Sequence, residues 1–276
     1  VKQGATQLAT FVDRSAAEYH ADKARLSHSA KEDFREDPAL YHGRHVLGTI
    51  PPIESDACDF GTACHHSLLI GGEAFIEIPA SVLNADGHKK GNTWKQFAAD
   101  HADDILLKSS EAASVREMIK AVYRAADAAR LLTCDGRNEQ AIFWTDEETG
   151  LPLRSRLDRL TPFCVVDYKT CTTIDRYALA KHCYDSGYFR QLEFYWRAAR
   201  QATGNDELGC VLICQRKTPP YSVRVVSPCP ETMAQAAREN REDLDYFEEC
   251  QRSGVWLPKN YGKIETISAP RYTFTQ

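Results

Sequence analysis

Two carboxylates and a lysine, Asp158, Asp167 and Lys169, stand on two consecutive stretches of the chain that read as strands. Asp167 and Lys169 are two residues apart, so in an extended strand they project to the same side. The run before them, Phe163-Cys164-Val165-Val166, is apolar. Carboxylates and an ammonium at the end of such a run are costly to bury unless something balances them. A divalent cation does so directly, and Mg²⁺ takes one or two carboxylates together with waters and phosphate oxygens. The lysine would then orient or deprotonate a metal-bound water while the metal offsets charge building on a phosphate. An Asp–Lys ion pair on a sheet edge is the competing account, since an isolated Asp-x-Lys is a common pattern.

The elements that must position these groups follow from periodicity. Val115, Met118, Ile119, Val122, Ala126 and Ala129 recur at helical spacing, which predicts a helix through about Leu132. Strands are expected at Gln140–Thr145, Leu153–Leu160 and Phe163–Tyr168, with turns at Thr149-Gly150 and Thr161-Pro162. Alternation in the second strand sets Leu153 and Leu157 on one face and Arg154, Arg156 and Asp158 on the other. A helix over Tyr188 to Ala202 and strands at Cys210–Gln215 and Ser222–Val226 complete residues 110–227 as a mixed α/β core in the order α-β-β-β-α-β with one further strand. Upstream, Gly61 to Ile70 reads as a short helix, Glu73 to Ile78 as a strand, and the first fifty residues as short helical stretches at most. Downstream, Thr232 to Cys250 is an amphipathic helix with Met233, Ala237, Leu244 and Phe247 on one stripe. The expected organisation is therefore a single domain over 1–276: an N-terminal helical region (1–109), the catalytic core (110–227), and an acidic helix and tail (228–276).

Composition narrows the class. With 276 residues, 43% hydrophobic and 26% charged, the chain has material for a buried core and no apolar run near the roughly 20 residues of a membrane helix. Collagen-like, disordered and membrane classes fit poorly, and a cytoplasmic protein is expected, without membrane association. The first residue is Val1, so the chain reads as a domain cut from a longer protein. The ten cysteines include no Cys-x-x-Cys pair and are expected to be scattered buried thiols in a reducing compartment. The net charge of −5 is concentrated: Glu231 to Cys250 holds seven acids against two arginines, so the rest is formally neutral. A neutral body with local basic patches is compatible with a polyanion partner, and the acidic helix should lie away from it. Arg154 and Arg156 share the Asp158 face; Arg156 is the candidate for phosphate, and Arg154 is expected to be solvated. Lys89 and Lys90 read as a solvated loop, with DNA contact at the rim as the lesser reading.

Asp158, Asp167 and Lys169 on consecutive strands resemble the PD-(D/E)xK nuclease superfamily. Gln191-Leu192-Glu193-Phe194-Tyr195 is similar to the Gln-x-x-x-Tyr signature of its RecB-like branch, and Gly61-Thr62-Ala63-Cys64-His65 to the Gly-Thr-Ala-x-His element of RecE-type exonucleases (exodeoxyribonuclease VIII-like). The early Leu-Ser-x-Ser and Asp-Pro-Ala-Leu-Tyr phrases resemble that group's N-terminal region, so the likeness spans roughly residues 19–227. The second carboxylate departs from the Glu of many relatives, being Asp167, a shortening that should not abolish metal binding.

The resemblance implies the superfamily's fold, a mixed sheet flanked by helices with N-terminal helical additions, and a metal held by His65, Asp158, Asp167 and the backbone carbonyl of Tyr168, with Lys169 catalytic. It implies Mg²⁺, with Mn²⁺ as substitute, and digestion of one strand from a 5′ end of duplex DNA, releasing mononucleotides and leaving a 3′ single strand for recombination. A homo-oligomer, expected as a tetrameric ring, a single-strand annealing partner, and a bacterial, phage or prophage origin come from the same source. Supporting roles fall to Gln191 and Tyr195, which share a helix face and could contact DNA or orient Lys169, to Glu139 as an acid near the site, and to Ser29, with Ser27, at a terminal phosphate. Helix capping accounts for at least one of those serines, and His66 reads as structural. Rival readings are another RecB-like nuclease, such as a CRISPR-associated member with an Fe–S cluster, and a catalytically silent fold that binds DNA ends.

Overall fold

The structure, a computed structural model, describes residues 8–51 and 56–267. In chain order the N-terminal part holds β1 (Ala9–Val12), α1 (Ala16–Ala21), β2 (Leu26–Ser27), α2 (His28–Glu36), α3 (Pro38–Tyr41), α4 (Asp56–Leu69), β3 (Ile76–Glu77), α5 (Asn92–Asp100) and β4 (Leu106–Leu107). The remainder runs α6 (Ser109–Arg124), α7 (Ala126–Thr133), β5 (Arg137–Thr145), β6 (Pro152–Leu160), β7 (Cys164–Cys171), α8 (Arg176–Asp185), α9 (Tyr188–Thr203), β8 (Gly209–Arg216), β9 (Val223–Val226) and α10 (Pro230–Ser253).

The main sheet has the order β1-β5-β6-β7-β8-β9, with β2 beside β6. The tight turns after β5 and β6 give antiparallel neighbours, whereas β7 and β8 are parallel. A parallel pair needs a crossover, and α8 and α9 supply it. Along β7 the side chains alternate between two cores: Val165 and Cys171 join the cluster under α9 and α10, and Val166 and Tyr168 join the one under α4 and α6. Leu153, Leu157 and Leu192 are fully buried in the first cluster and Val115 and Met118 in the second. Each such aliphatic side chain contributes about 1.5–3 kcal/mol from burial.

Several elements depart from the sequence reading. The expected single helix through Leu132 breaks at Ala125, whose extended backbone (φ −82°, ψ 106°) separates α6 from α7. No proline or glycine marks that break. The first hundred residues are not helical additions alone: β1 pairs antiparallel with β5, and β2 parallel with β6, so the N-terminal region adds two strands to the sheet. α5 and α8 are further helices beyond those the periodicity predicts. The acidic helix packs on α9 and α2 as α10, with Ala236, Leu244 and Phe247 buried and Ala237 off the buried face. Of the cysteines described, seven are buried and all are unpaired, consistent with small apolar fillers. Among the described residues no helix is long and apolar enough to cross a membrane.

Candidate active site

Only two residue pairs, Arg159–Val166 and Leu160–Val165, register between β6 and β7. Beyond them the strands part, and Asp158 occupies the opening. Its Oδ2 accepts the backbone N–H of Tyr168 at 2.8 Å, taking the place of a ladder carbonyl. Its Oδ1 lies 2.8 Å from Nε2 of His65, which α4 delivers from the other side. The second imidazole nitrogen faces Oε1 of Glu139 at 3.4 Å. Glu139 sits in β5 at positive φ (52°), an uncommon conformation for a residue that is not glycine. Its other oxygen is held by Nε of Arg156 at 2.5 Å.

His65, Glu139 and Asp158 can each present a donor atom within 4.8 Å of the other two. Asp167 is outside that group. Instead its carboxylate is fully buried one residue from Tyr168, with Nζ of Lys169 2.8 Å from Oδ2. Neither Asp167 oxygen receives a directed hydrogen bond, and Oε1 of Glu139 is likewise buried without one. Lys169 also lies 5.4 Å above the ring of Tyr188.

Electrostatics follow the crowding. Burial pushes the Asp167 carboxyl up to about 6, and the charge of Asp158 adds to this against the pull of Lys169. For Asp158 burial acts upward too, but His65 and Lys169 outweigh it and the net direction is down. Burial would lower His65 and Lys169, yet the facing carboxylates, Asp158 foremost for His65 and Asp167 for Lys169, raise both. Two carboxylates and an imidazole, Glu139, Asp158 and His65, thus converge on a point that a divalent cation suits, with Asp167 beside them. One imidazole nitrogen and carboxylate oxygens form an acceptable donor set, and buried oxygens without hydrogen bonds are what coordination would satisfy. The residues fit the group.

His65, Glu139, Asp158 and Lys169 line a cleft of about 580 Å³, and Asp167 is buried behind it. Gln191 and Tyr195 also line it, joined by a 3.0 Å hydrogen bond from Nε2 of Gln191 to the Tyr195 hydroxyl. No bond joins either to Lys169 among the described residues. Ser29 lines it too, its hydroxyl 3.2 Å from that of Ser27, whose oxygen also accepts the Ala30 N–H and so caps α2. Arg156 lines the cleft beside Glu139.

Arg154 corrects the sequence reading. It is buried, bonds the Tyr19 carbonyl and stacks over that ring at 4.7 Å, so it fastens α1 to β6 and is not solvated. Its partner is 135 residues away, beyond any local pattern. Lys89 is tethered to the Leu106 carbonyl at 3.3 Å. His20, His28 and His66 lie outside the site that the sequence motifs define, yet all three line the cleft. For His66 adjacency to His65 is the available signal, and for His28 its place between Ser27 and Ser29; His20 carries none.

Comparison with known proteins agrees with this geometry. Residues 27–270 match the family model described as "PDDEXK-like domain of unknown function (DUF3799)". No curated protein matches the chain. Among solved structures, one from Eubacterium rectale, named "Putative exonuclease", is similar with a TM-score of 0.63 at 14% identity, over 96% of this chain and 98% of that one. At that identity the likeness concerns the fold.

Proposed function

The chain belongs to the PDDEXK-like family, and from that premise we propose that it is a Mg²⁺-dependent exonuclease of the RecE type acting on duplex DNA ends. The observation that carries the proposal is the meeting of His65, Glu139 and Asp158 beside Asp167 and Lys169 where β6 and β7 part.

In this reading His65, Asp158, Asp167 and the Tyr168 carbonyl hold the ion, Mg²⁺ or Mn²⁺, and Glu139 joins them. When bound, the metal supplies Lewis-acid stabilisation of the phosphate and lowers the pKa of a coordinated water. Lys169, kept charged by its carboxylate neighbours, donates to the attacking water or to a phosphate oxygen. Arg156 stands beside Glu139 with Nη1 buried and without a hydrogen bond, ready for a second acceptor such as a backbone phosphate. Gln191 and Tyr195 form the wall against which the scissile strand lies, and Ser29 faces the terminal nucleotide. Attack from a 5′ end, release of mononucleotides, a 3′ tail for recombination, a tetrameric ring and an annealing partner belong to the same proposal and rest on the resemblance.

Linear duplex labelled at either end, digested with Mg²⁺ or EDTA beside a closed circle, tests it. Metal-dependent release of the 5′ label with the circle spared is expected. Cutting of the circle would replace the exonuclease reading with an endonuclease one, and inertness under every divalent metal would sink both.

A further inference from the structure

Beyond the cleft, the C-terminal ends of β7 and β8 form a rim of cations. Arg216 pairs in register with Cys171, two residues past Lys169. The Lys217 N–H donates to the Cys171 carbonyl at 3.0 Å. Nε of Arg224, on β9, donates to the Ile174 carbonyl at 2.8 Å, which brings it against the segment leading into Arg176 and Tyr177 at the start of α8. Strand spacing puts the backbones of Arg216 and Arg224, one and two strands across, within about 10 Å of that of Lys169.

Two properties coincide on it, cations without acid partners and an open aromatic ring. Many basic side chains here are engaged by acids, as Lys181 is by Asp185 and Arg190 by Glu32. Among the described residues, Arg176, Arg216, Lys217 and Arg224 have no carboxylate partner. The nearest acid by sequence, Asp175, is occupied in capping α8 through the N–H groups of Tyr177 and Ala178. In a chain of net charge −5, four cations against the single acid Asp175 in residues 171–177 and 216–224 are a local reversal of sign. Beside them Tyr177 is 90% exposed, its ring unpacked.

We propose that this rim binds one single strand of nucleic acid, with phosphates on Arg176, Arg216, Lys217 and Arg224 and a base stacked on Tyr177. Cations that track a backbone beside an open aromatic ring are what single-strand binding uses. A duplex keeps its base faces internal and offers the ring nothing to stack on. The proposal rests on the nuclease reading of the cleft, whose substrate strand the rim would hold on its way to or from Lys169.

The test measures anisotropy of a labelled single-stranded oligonucleotide in EDTA, so that no cleavage occurs, for the wild type, Tyr177→Ala, and Arg176→Gln with Arg216→Gln. All substituted side chains are exposed, and folding is checked by thermal melting. Tyr177→Ala should weaken binding about ten-fold, as loss of one stacked base does. The arginine pair should flatten the dependence of affinity on salt by about 0.7 for each phosphate left unneutralised. Metal-dependent hydrolysis of bis(p-nitrophenyl) phosphate, too small to reach the rim, should be unchanged. Wild-type hydrolysis with unaltered single-strand affinity in both variants would overturn the rim and leave the nuclease reading standing. Rim-dependent binding without hydrolysis would do the reverse, and a wild type that neither binds nor cleaves would remove both.

Discussion

The hydroxyl of Tyr168 donates to Oε1 of Gln215 at 2.6 Å, immediately behind the strand that carries Asp167 and Lys169. Gln215 is fully buried, and its amide spans the Met118 carbonyl at 2.8 Å and the Tyr221 carbonyl at 3.1 Å. One side chain therefore ties β7 to α6 and to the turn after β8. The same Tyr168 gives its N–H to Asp158. Tyr168→Phe should leave Oε1 of Gln215 without a donor and cost about 1–3 kcal/mol. Denaturant unfolding with and without Mg²⁺ checks this; an unchanged midpoint would show that the hydroxyl bond is not holding the strand.

Lys169→Ala should lower cleavage by a factor of about 10²–10⁴, the range for one positioned proton donor or acceptor. DNA binding measured in Ca²⁺ or EDTA should be nearly unchanged. Asp158→Asn should additionally lose the gain in melting temperature that Mg²⁺ confers by mass action. Wild-type cleavage in either variant would refute the site.

Chelation offers a test independent of turnover. An ion held by these buried carboxylates binds the folded form alone, so saturating Mg²⁺ at a hundred times its dissociation constant should add about 2.7 kcal/mol of stability. Calorimetry with Mg²⁺ titrated into the chelator-treated protein reads this directly. A melting temperature indifferent to every divalent metal would argue against an ion at this position.

The acid limb of the stability profile should have two sources. Burial lowers the pKa of His28 from 6.5 to about 4, so the unfolded chain takes up its proton first and stability falls as pH drops from 6.5 to 4. For Glu32 burial acts upward, but bonds from His28 and Arg190 outweigh it and hold its pKa below 4.5. Its contribution is present above pH 4.5 and is lost on further acidification. His28→Asn should flatten the limb between 6.5 and 4 and also reduce the part below 4.5, which Arg190 then sustains. Chemical denaturation at closely spaced pH values separates the two.

The strands around Asp158, Asp167 and Lys169 are legible in the sequence because alternation and turn residues are local signals. Helix α9 is legible because its apolar residues recur at helical spacing. α8 is not: Arg176–Asp185 buries only Leu179 and Cys183 and shows no stripe, although Asp175 as its cap is a usable mark. β1 is four residues long and owes its strand state to β5. Glu139 reads as an acid near the site, but its closeness to His65 depends on a positive φ that no residue type there announces. Arg154, with its distant carbonyl partner, is illegible for the same reason. Short-range patterns identify elements; contacts over long sequence separations decide which charges face inward.

Lys31 is fully buried on α2, and its ammonium is met by Oδ2 of Asp243 on α10 at 2.8 Å, across 212 residues. Arg35 shares that carboxylate, and Arg190 links Glu32 with Glu239. The wall of the cleft that carries Ser27, His28 and Ser29 is thus fastened by acids that leave the ribosome about 200 residues after it. A nascent chain that has emerged only through β9 already holds Asp158, Asp167 and Lys169, but it has no Asp243 to meet Lys31 and no α10 to seat α2 against. The order in which the ribosome releases the chain therefore seats α2, and with it this wall of the cleft, only after every strand of the main sheet has been made.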